Sequence, residues 1–182
     1  MAKMSEYLPY LGDVTVRREQ QYRANPERPG SEGGPHYALE VRVRSVGHLD
    51  EHVRTRSGHD FVISEPVEVG GRNIATWPLE YLLGGAVGCF AAVFAFYAAK
   101  LKVPYEEFEV VATTNIDVRG HMIPNSPPSG FQKVTLDLHV VSDQPEEKLK
   151  EVERLALAGC PGIDTLRRPV PLESNLHVTR PK

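Results

Sequence analysis

The chain is organised around residues 76–101, TWPLEYLLGGAVGCFAAVFAFYAAKL. From Tyr81 to Ala99 this stretch carries no charged residue, and its length is close to that of a membrane span. Its many Ala and Gly residues add little transfer energy, and no basic cluster flanks it. We therefore interpret it as the buried central helix of a globular protein, with Thr76 as the capping residue and Pro78 in the first turn.

Alternating apolar and polar residues predict strands on both sides of this helix. The predicted strands cover residues 37–45, 52–56, 60–64, 108–117, 133–141 and 172–178. A second helix is expected to begin after Asp143 and to end at Gly159. Strands and helices occur in blocks and not in regular βαβ alternation, so the predicted fold class is α+β.

Length and composition favour a single folded domain. The chain has 182 residues, of which 41% are hydrophobic and 25% charged, as in ordinary globular proteins. Residues 1–35 are polar, and their segment RANPERPGSEGGP is too rich in Pro, Gly and charge to supply a core. They are predicted to form an extension to one domain at 36–182. The formal net charge of -3 gives no overall attraction to nucleic acid or to anionic lipid.

The chain has 2 cysteines, Cys89 and Cys160. They are too few for a secreted disulfide framework, and the N-terminus lacks the apolar segment of a signal peptide, so a cytoplasmic location is predicted. Gly84, Gly85 and Gly88 leave space beside Cys89, whereas Cys160 falls at a helix end. Two thiols placed in this way could form a redox pair. The alternative is that both are buried structural residues, which is the role of most helical cysteines.

The remaining motifs indicate neither a metal nor a cofactor. His48 and His52 have i,i+4 spacing, but they lie between predicted strands and no third ligand accompanies them. The Gly70-Gly71 turn lacks the spacing of a phosphate-binding loop.

Two stretches resemble the OsmC/Ohr family. Residues 57–92, SGHDFVISEPVEVGGRNIATWPLEYLLGGAVGCFAA, look like the core of that family, with its Gly-Gly turn, its Pro-x-Glu-x-Leu-Leu helix start and small residues before a cysteine. Residues 155–168, LALAGCPGIDTLRR, are similar to its second motif, in which a Cys-Pro closes a helix before a short helical turn. With the intervening strands, the likeness extends over most of residues 37–180.

The resemblance implies antiparallel sheets packed around a long buried central helix, in an intertwined homodimer with active sites near the subunit interface. It also implies a cysteine peroxidase that reduces organic hydroperoxides and is reset by an external dithiol, without a cofactor. Cys89 would form a sulfenate, and Cys160 would condense with it to a disulfide.

The resemblance also suggests which residues surround the thiols. An arginine is expected to activate Cys89, and Arg54 and Arg56 are the candidates. Glu80 is the candidate acid, although the best-studied peroxidases carry theirs one residue earlier, about 100° away on a helix. The residues expected to line an apolar substrate pocket are Trp77, Tyr81, Phe90 and Phe94.

A second hypothesis is a small-molecule-binding or stress protein that keeps the fold without efficient catalysis. The displaced Glu80 favours it, as does the turn SVGHLDEH, which has no arginine where the peroxidases carry theirs. A purely structural role for both thiols is the third hypothesis.

Overall fold

The computed structural model describes residues 4–181. Residues 1–3 and 182, which belong to the predicted extension and the predicted domain, lie outside the described residues. The elements follow in the order α1 (Met4–Ala24), β1 (Val41–Gly47), β2 (Asp50–Thr55), β3 (Asp60–Ser64), α2 (Pro78–Leu101), β4 (Glu107–Thr114), α3 (Arg119–Met122), β5 (Val134–Val141), α4 (Glu146–Gly159) and α5 (Pro161–Arg167).

The strands form two antiparallel sheets, so the predicted α+β class is confirmed. One sheet has the order β1-β2-β3, and the other pairs β4 with β5 from Glu107 opposite Val141 to Thr114 opposite Val134. The β1–β2 connection is tight because Gly47, His48 and Leu49 all take positive φ, at 98°, 55° and 59°. Only Gly adopts this conformation without cost, so the turn holds two residues in a strained backbone.

Helix α2 begins at Pro78, as the proline predicts, but the prediction of Thr76 as its cap is wrong. The N-cap position is Trp77, whose backbone N–H donates to a carboxylate oxygen of Glu80 at 3.2 Å. A glutamate at the third helical position thus reaches back to the residue before the helix, which is half of a capping box.

The second half of α2 forms the centre of the core. Phe90, Phe94 and Ala98 are 0%, 1% and 0% exposed, and Phe94 stacks on Phe108 of β4 with ring centroids 4.2 Å apart. The β4–β5 sheet and α4 cover this half, with Val152 and Ala156 fully buried. By length and composition alone α2 could cross a membrane. Its packing against a sheet and three helices, α1, α4 and α5, is that of a core helix.

The N-terminal segment contributes to this core, which corrects the expectation that it could not. Helix α1 packs along α2, and its Leu8 and Leu11 are only 4% and 7% exposed. These two residues are one helical turn apart and therefore lie on the same face. The two helices approach closely at Gly12, where a Cβ would come within 3.3 Å of the carbonyl oxygen of Ala99.

The predicted last strand is absent from the described chain. Residues 172–178 have no regular structure, and Leu172 and Leu176 are 90% and 88% exposed. The alternation in residues 37–45 predicts a half-buried strand. Strand β1 does form, but it is exposed throughout, with Val41 at 63%, so that expectation is wrong for the single chain. A strand becomes half-buried only when a second layer covers it, and the described residues supply none here.

Candidate functional site

Cys89 lies on α2 facing the start of α5, and its side chain is half-buried. The approach of α5 is close because residue 162 has no side chain. A Cβ on Gly162 would lie 2.9 Å from the carbonyl oxygen of Ala86 and 3.1 Å from the Cβ of Cys89. The glycine of the Cys-Pro-Gly sequence therefore allows the two helices to meet beside the Cys89 thiol.

Cys160 lies at the junction of α4 and α5, where the backbone is extended, at φ -80° and ψ 118°. Pro161 fixes the first turn of α5 and helps to define this corner. The Cys160 side chain is 1% exposed and lies close enough to Cys89 for the two thiols to interact. The structure thus brings together the two cysteines that the sequence singled out.

The environment of Cys160 keeps it protonated. Burial raises the pKa of the Cys160 thiol, and the neighbouring Cys89 raises it further. The backbone N–H groups of Ile163 and Gly162 in the first turn of α5 lower it in part. Cys160 is therefore suited to remain a neutral thiol.

The three predicted charged site residues do not gather at the thiols. Glu80 accepts a hydrogen bond from the backbone N–H of Trp77. Arg54 donates to both carboxylate oxygens of Asp60, at 2.8 and 3.1 Å, and Arg56 reaches the carbonyl oxygen of Ala38 at 3.5 Å. Within one chain, these contacts give each residue a structural partner outside the cysteine pair.

The four predicted lining residues divide into two groups. Phe90 and Phe94 are buried in the aromatic core of the single chain, and their role in lining an apolar substrate pocket stays a prediction. Trp77 and Tyr81 lie near the start of α2, where the Trp77 indole N–H donates to Glu65 and the Tyr81 ring stacks on Phe61 at 4.8 Å. The Tyr81 ring therefore packs on β3, and the Trp77 indole contacts the residue that follows β3.

A buried carboxylate in that sheet was not predicted. Asp50 is 0% exposed and accepts a hydrogen bond from the Ser64 hydroxyl at 2.6 Å and another from Arg72 Nε at 2.7 Å. The Ser64 hydroxyl lowers the pKa of Asp50, and the Arg72 guanidinium lowers it further. Nothing in the spacing of positions 50, 64 and 72 indicates this cluster, because hairpin pairing and a loop bring them together.

No group of His, Cys, Asp or Glu residues suited to hold a metal ion occurs among residues 4–181. His52 instead lies 3.9 Å from Asp60.

Comparisons with known proteins agree with the fold. The OsmC-like protein family model matches residues 70–175, while no curated protein matches the chain. Among solved structures, an OsmC-like protein from Mycoplasma pneumoniae is 16% identical with a TM-score of 0.62, and the match covers 72% of this chain and 88% of that one.

Two further solved structures carry names that refer to hydroperoxides. An organic hydroperoxide resistance protein from Elizabethkingia anophelis is 24% identical over 73% of this chain and 90% of its own, with a TM-score of 0.56. One from Legionella pneumophila, also described as a predicted redox protein, is 22% identical over 72% and 90%, with a TM-score of 0.57. The family model covers more than half of the sequence, including both cysteines, and the chain therefore belongs to the OsmC-like protein family.

Proposed function

We propose that this protein is a thiol peroxidase that reduces organic hydroperoxides, with Cys89 as the attacking thiol and Cys160 as the resolving thiol. The observation that supports it best is the contact between the two cysteines at the corner between α4 and α5. Family membership and the names of the hydroperoxide resistance relatives support the substrate class. The reaction needs no cofactor, and its proposed location is the cytoplasm.

In the first step, the Cys89 thiolate attacks the O–O bond of the hydroperoxide. A sulfur–oxygen bond forms and the O–O bond breaks, so Cys89 is oxidised to a sulfenic acid while the alcohol leaves with one added proton. The protonated Cys160 is the nearest thiol to this site. In the second step, the sulfur of Cys160 bonds to that of Cys89 and water leaves, giving a disulfide. An external dithiol then reduces the disulfide by exchange and is itself oxidised.

The protein is further proposed to act as a homodimer. Apolar side chains of β1 and of residues 172–178 are exposed in the single chain, and a Cβ on Gly84, Gly85 or Gly88 would meet only open space. Exposed apolar surface of this extent is typical of an interface. An intertwined dimer would bury more than about 2,000 Å² in total.

A dimer would also complete the site. Arg54 and Arg56 contact groups outside the cysteine pair within one chain, so the arginine that activates Cys89 is proposed to come from a partner subunit. The second hypothesis is a binding protein without efficient catalysis. It is favoured by the hydrogen bond that Glu80, the candidate acid, accepts from the Trp77 backbone N–H, because this bond caps the helix and does not involve the thiols. The two hypotheses differ in one measurable property, the consumption of hydroperoxide.

The test is to titrate the reduced protein with cumene hydroperoxide, to count the thiols lost, and to analyse two variants by mass spectrometry. Cys89→Ser should consume no peroxide. Cys160→Ser should complete one turnover and then leave Cys89 as sulfenic acid, which excess peroxide converts to sulfinic and sulfonic acids. If only Cys160→Ser loses activity, the roles are reversed, and if the wild-type protein consumes no peroxide, the binding hypothesis replaces this one.

A further inference from the structure

A cavity of about 690 Å³ lies between α1, α2 and the end of α4. Small-molecule sites commonly have volumes of about 300 to 1,000 Å³, so it is large enough for an organic ligand. Its apolar wall consists of Val14 and the ring of Tyr22 from α1, with Val93, Phe96 and Tyr97 from α2. A ligand here would have an apolar body with little hydrogen-bonding capacity.

The same cavity has a cationic rim. Arg18, Arg23 and Lys100 border it together with one carboxylate, that of Glu19. Glu19 accepts hydrogen bonds from Lys100 at 2.6 Å and from Arg23 at 2.7 Å. Among residues 4–181 the structure pairs Arg18 with no carboxylate, and its guanidinium reaches only the amide oxygen of Gln21 at 3.3 Å. The rim therefore has an excess of positive charge, although the chain as a whole carries -3.

Neither cysteine lines the cavity, but two of its lining residues are neighbours of the cysteines. Val93 follows Cys89 by one helical turn on the same face of α2, and Gly159 immediately precedes Cys160. The Tyr97 ring extends over Gly159, where a Cβ would come within 2.7 Å of the phenol oxygen. The α1 side of the cavity lies outside residues 70–175, which match the family model.

We propose that the cavity between α1 and α2 binds an amphipathic organic anion. The apolar body of the ligand packs between Val14 and Val93, and its carboxylate is bound at the rim by Arg18. Charge complementarity argues for this occupant, because an apolar wall beside an unpaired guanidinium matches a molecule with one apolar and one anionic end. The proposal does not depend on peroxidase chemistry, and it is tested without any hydroperoxide.

The first test is isothermal titration calorimetry, which measures the affinity and stoichiometry with which the full-length reduced protein binds decanoate and decanol. Decanoate should bind at one site per chain, and decanol should bind at least about tenfold more weakly because it cannot form the charge-assisted hydrogen bonds. Equal affinity for the two, or no binding of decanoate, would contradict the proposal. The Cys89→Ser variant should bind decanoate as the wild type does, which separates this result from any failure of the proposed peroxidase reaction.

The second test uses two matched pairs of variants on α1. Arg18→Gln should weaken decanoate binding about tenfold and leave decanol binding unchanged, whereas Arg17→Gln, which changes an exposed charge outside the cavity, should have less than about a twofold effect. Val14→Gln should weaken the binding of both ligands, whereas Val16→Gln should leave the binding of both unchanged. Thermal unfolding of each variant verifies that α1 remains packed. Equal effects within a pair would show that decanoate binds elsewhere and would overturn the proposal.

Discussion

The two halves of α2 are similarly apolar in sequence and very different in their surroundings. In the second half, Phe94 is 1% exposed, while in the first half Leu82 is 52% exposed and the Cβ positions of the glycines face open space. The second half is covered by elements of its own chain. An apolar helix face that its own chain leaves open is typical of an interface, so the contrast separates a folding core in the second half of α2 from the surface proposed to form the dimer in the first half.

The largest expected effect is on the stability contributed by the second half of α2, the core half. Phe94→Ala should lower the free energy of unfolding by about 3 to 5 kcal/mol, because it removes a buried ring that stacks on Phe108. Urea denaturation measures this loss. Leu82→Ala is the matched change in the open half, and at protein concentrations too low for association it should cost far less. Similar losses in both variants would contradict the contrast between the halves.

The next effect is on dimer formation through the first half of α2, the open half. Gly85→Arg should place a charged side chain on the proposed dimer interface and convert the dimer to a monomer at micromolar concentration, because an unpaired charge is costly to bury. Light scattering with size-exclusion chromatography gives the mass. The control is Glu147→Arg, an exposed change on α4 that should leave the dimer intact. A wild-type monomer under these conditions would refute the proposed homodimer.

A smaller effect is expected where the two halves meet, at the cysteines. Burial and the nearby Cys89 raise the pKa of Cys160, so its alkylation by iodoacetamide should require a higher pH than that of an ordinary thiol. In Cys89→Ser the midpoint for Cys160 should fall, since one of the two causes is gone, but it should stay above the ordinary value because burial remains. Mass spectrometry of the Cys160 peptide against pH measures the midpoint. An unchanged midpoint would indicate that the thiols do not interact.

The smallest effect tests the attachment of the open half to the β1–β3 sheet. The Ser64 backbone N–H donates to Thr76, just before α2, and the Ser64 hydroxyl binds Asp50. Because the pKa of Asp50 is lowered, its contribution to stability is present above the ordinary value of 3.8 and is lost as the pH falls toward the folded-state pKa. Asp50→Asn should therefore flatten the pH dependence of unfolding below about pH 4. Denaturation at several pH values measures it, with Asp143→Asn as the exposed control.

Much of the fold could be predicted from local sequence patterns. The strand at Asp60–Ser64 and the helix start at Pro78 follow from alternation and from the proline, both of which act over a few residues. Helix α1 was missed because its polar composition conceals the single apolar face that carries Leu8 and Leu11. The burial of Phe90 and Phe94 by their own chain could not be predicted for a related reason, since residue type shows that a ring is apolar but not which neighbours cover it.

The sequence by itself determined the central helix, the α+β class and the two cysteines in their motifs, because these depend on local periodicity, proline and glycine geometry and residue chemistry. Only the tertiary structure decided which thiol is buried and which half of α2 is open. It also revealed the cluster of Asp50, Ser64 and Arg72 and the cavity between α1 and α2. Each of these depends on groups that are distant in the chain, and contacts at such separations leave no periodic signal in a single sequence.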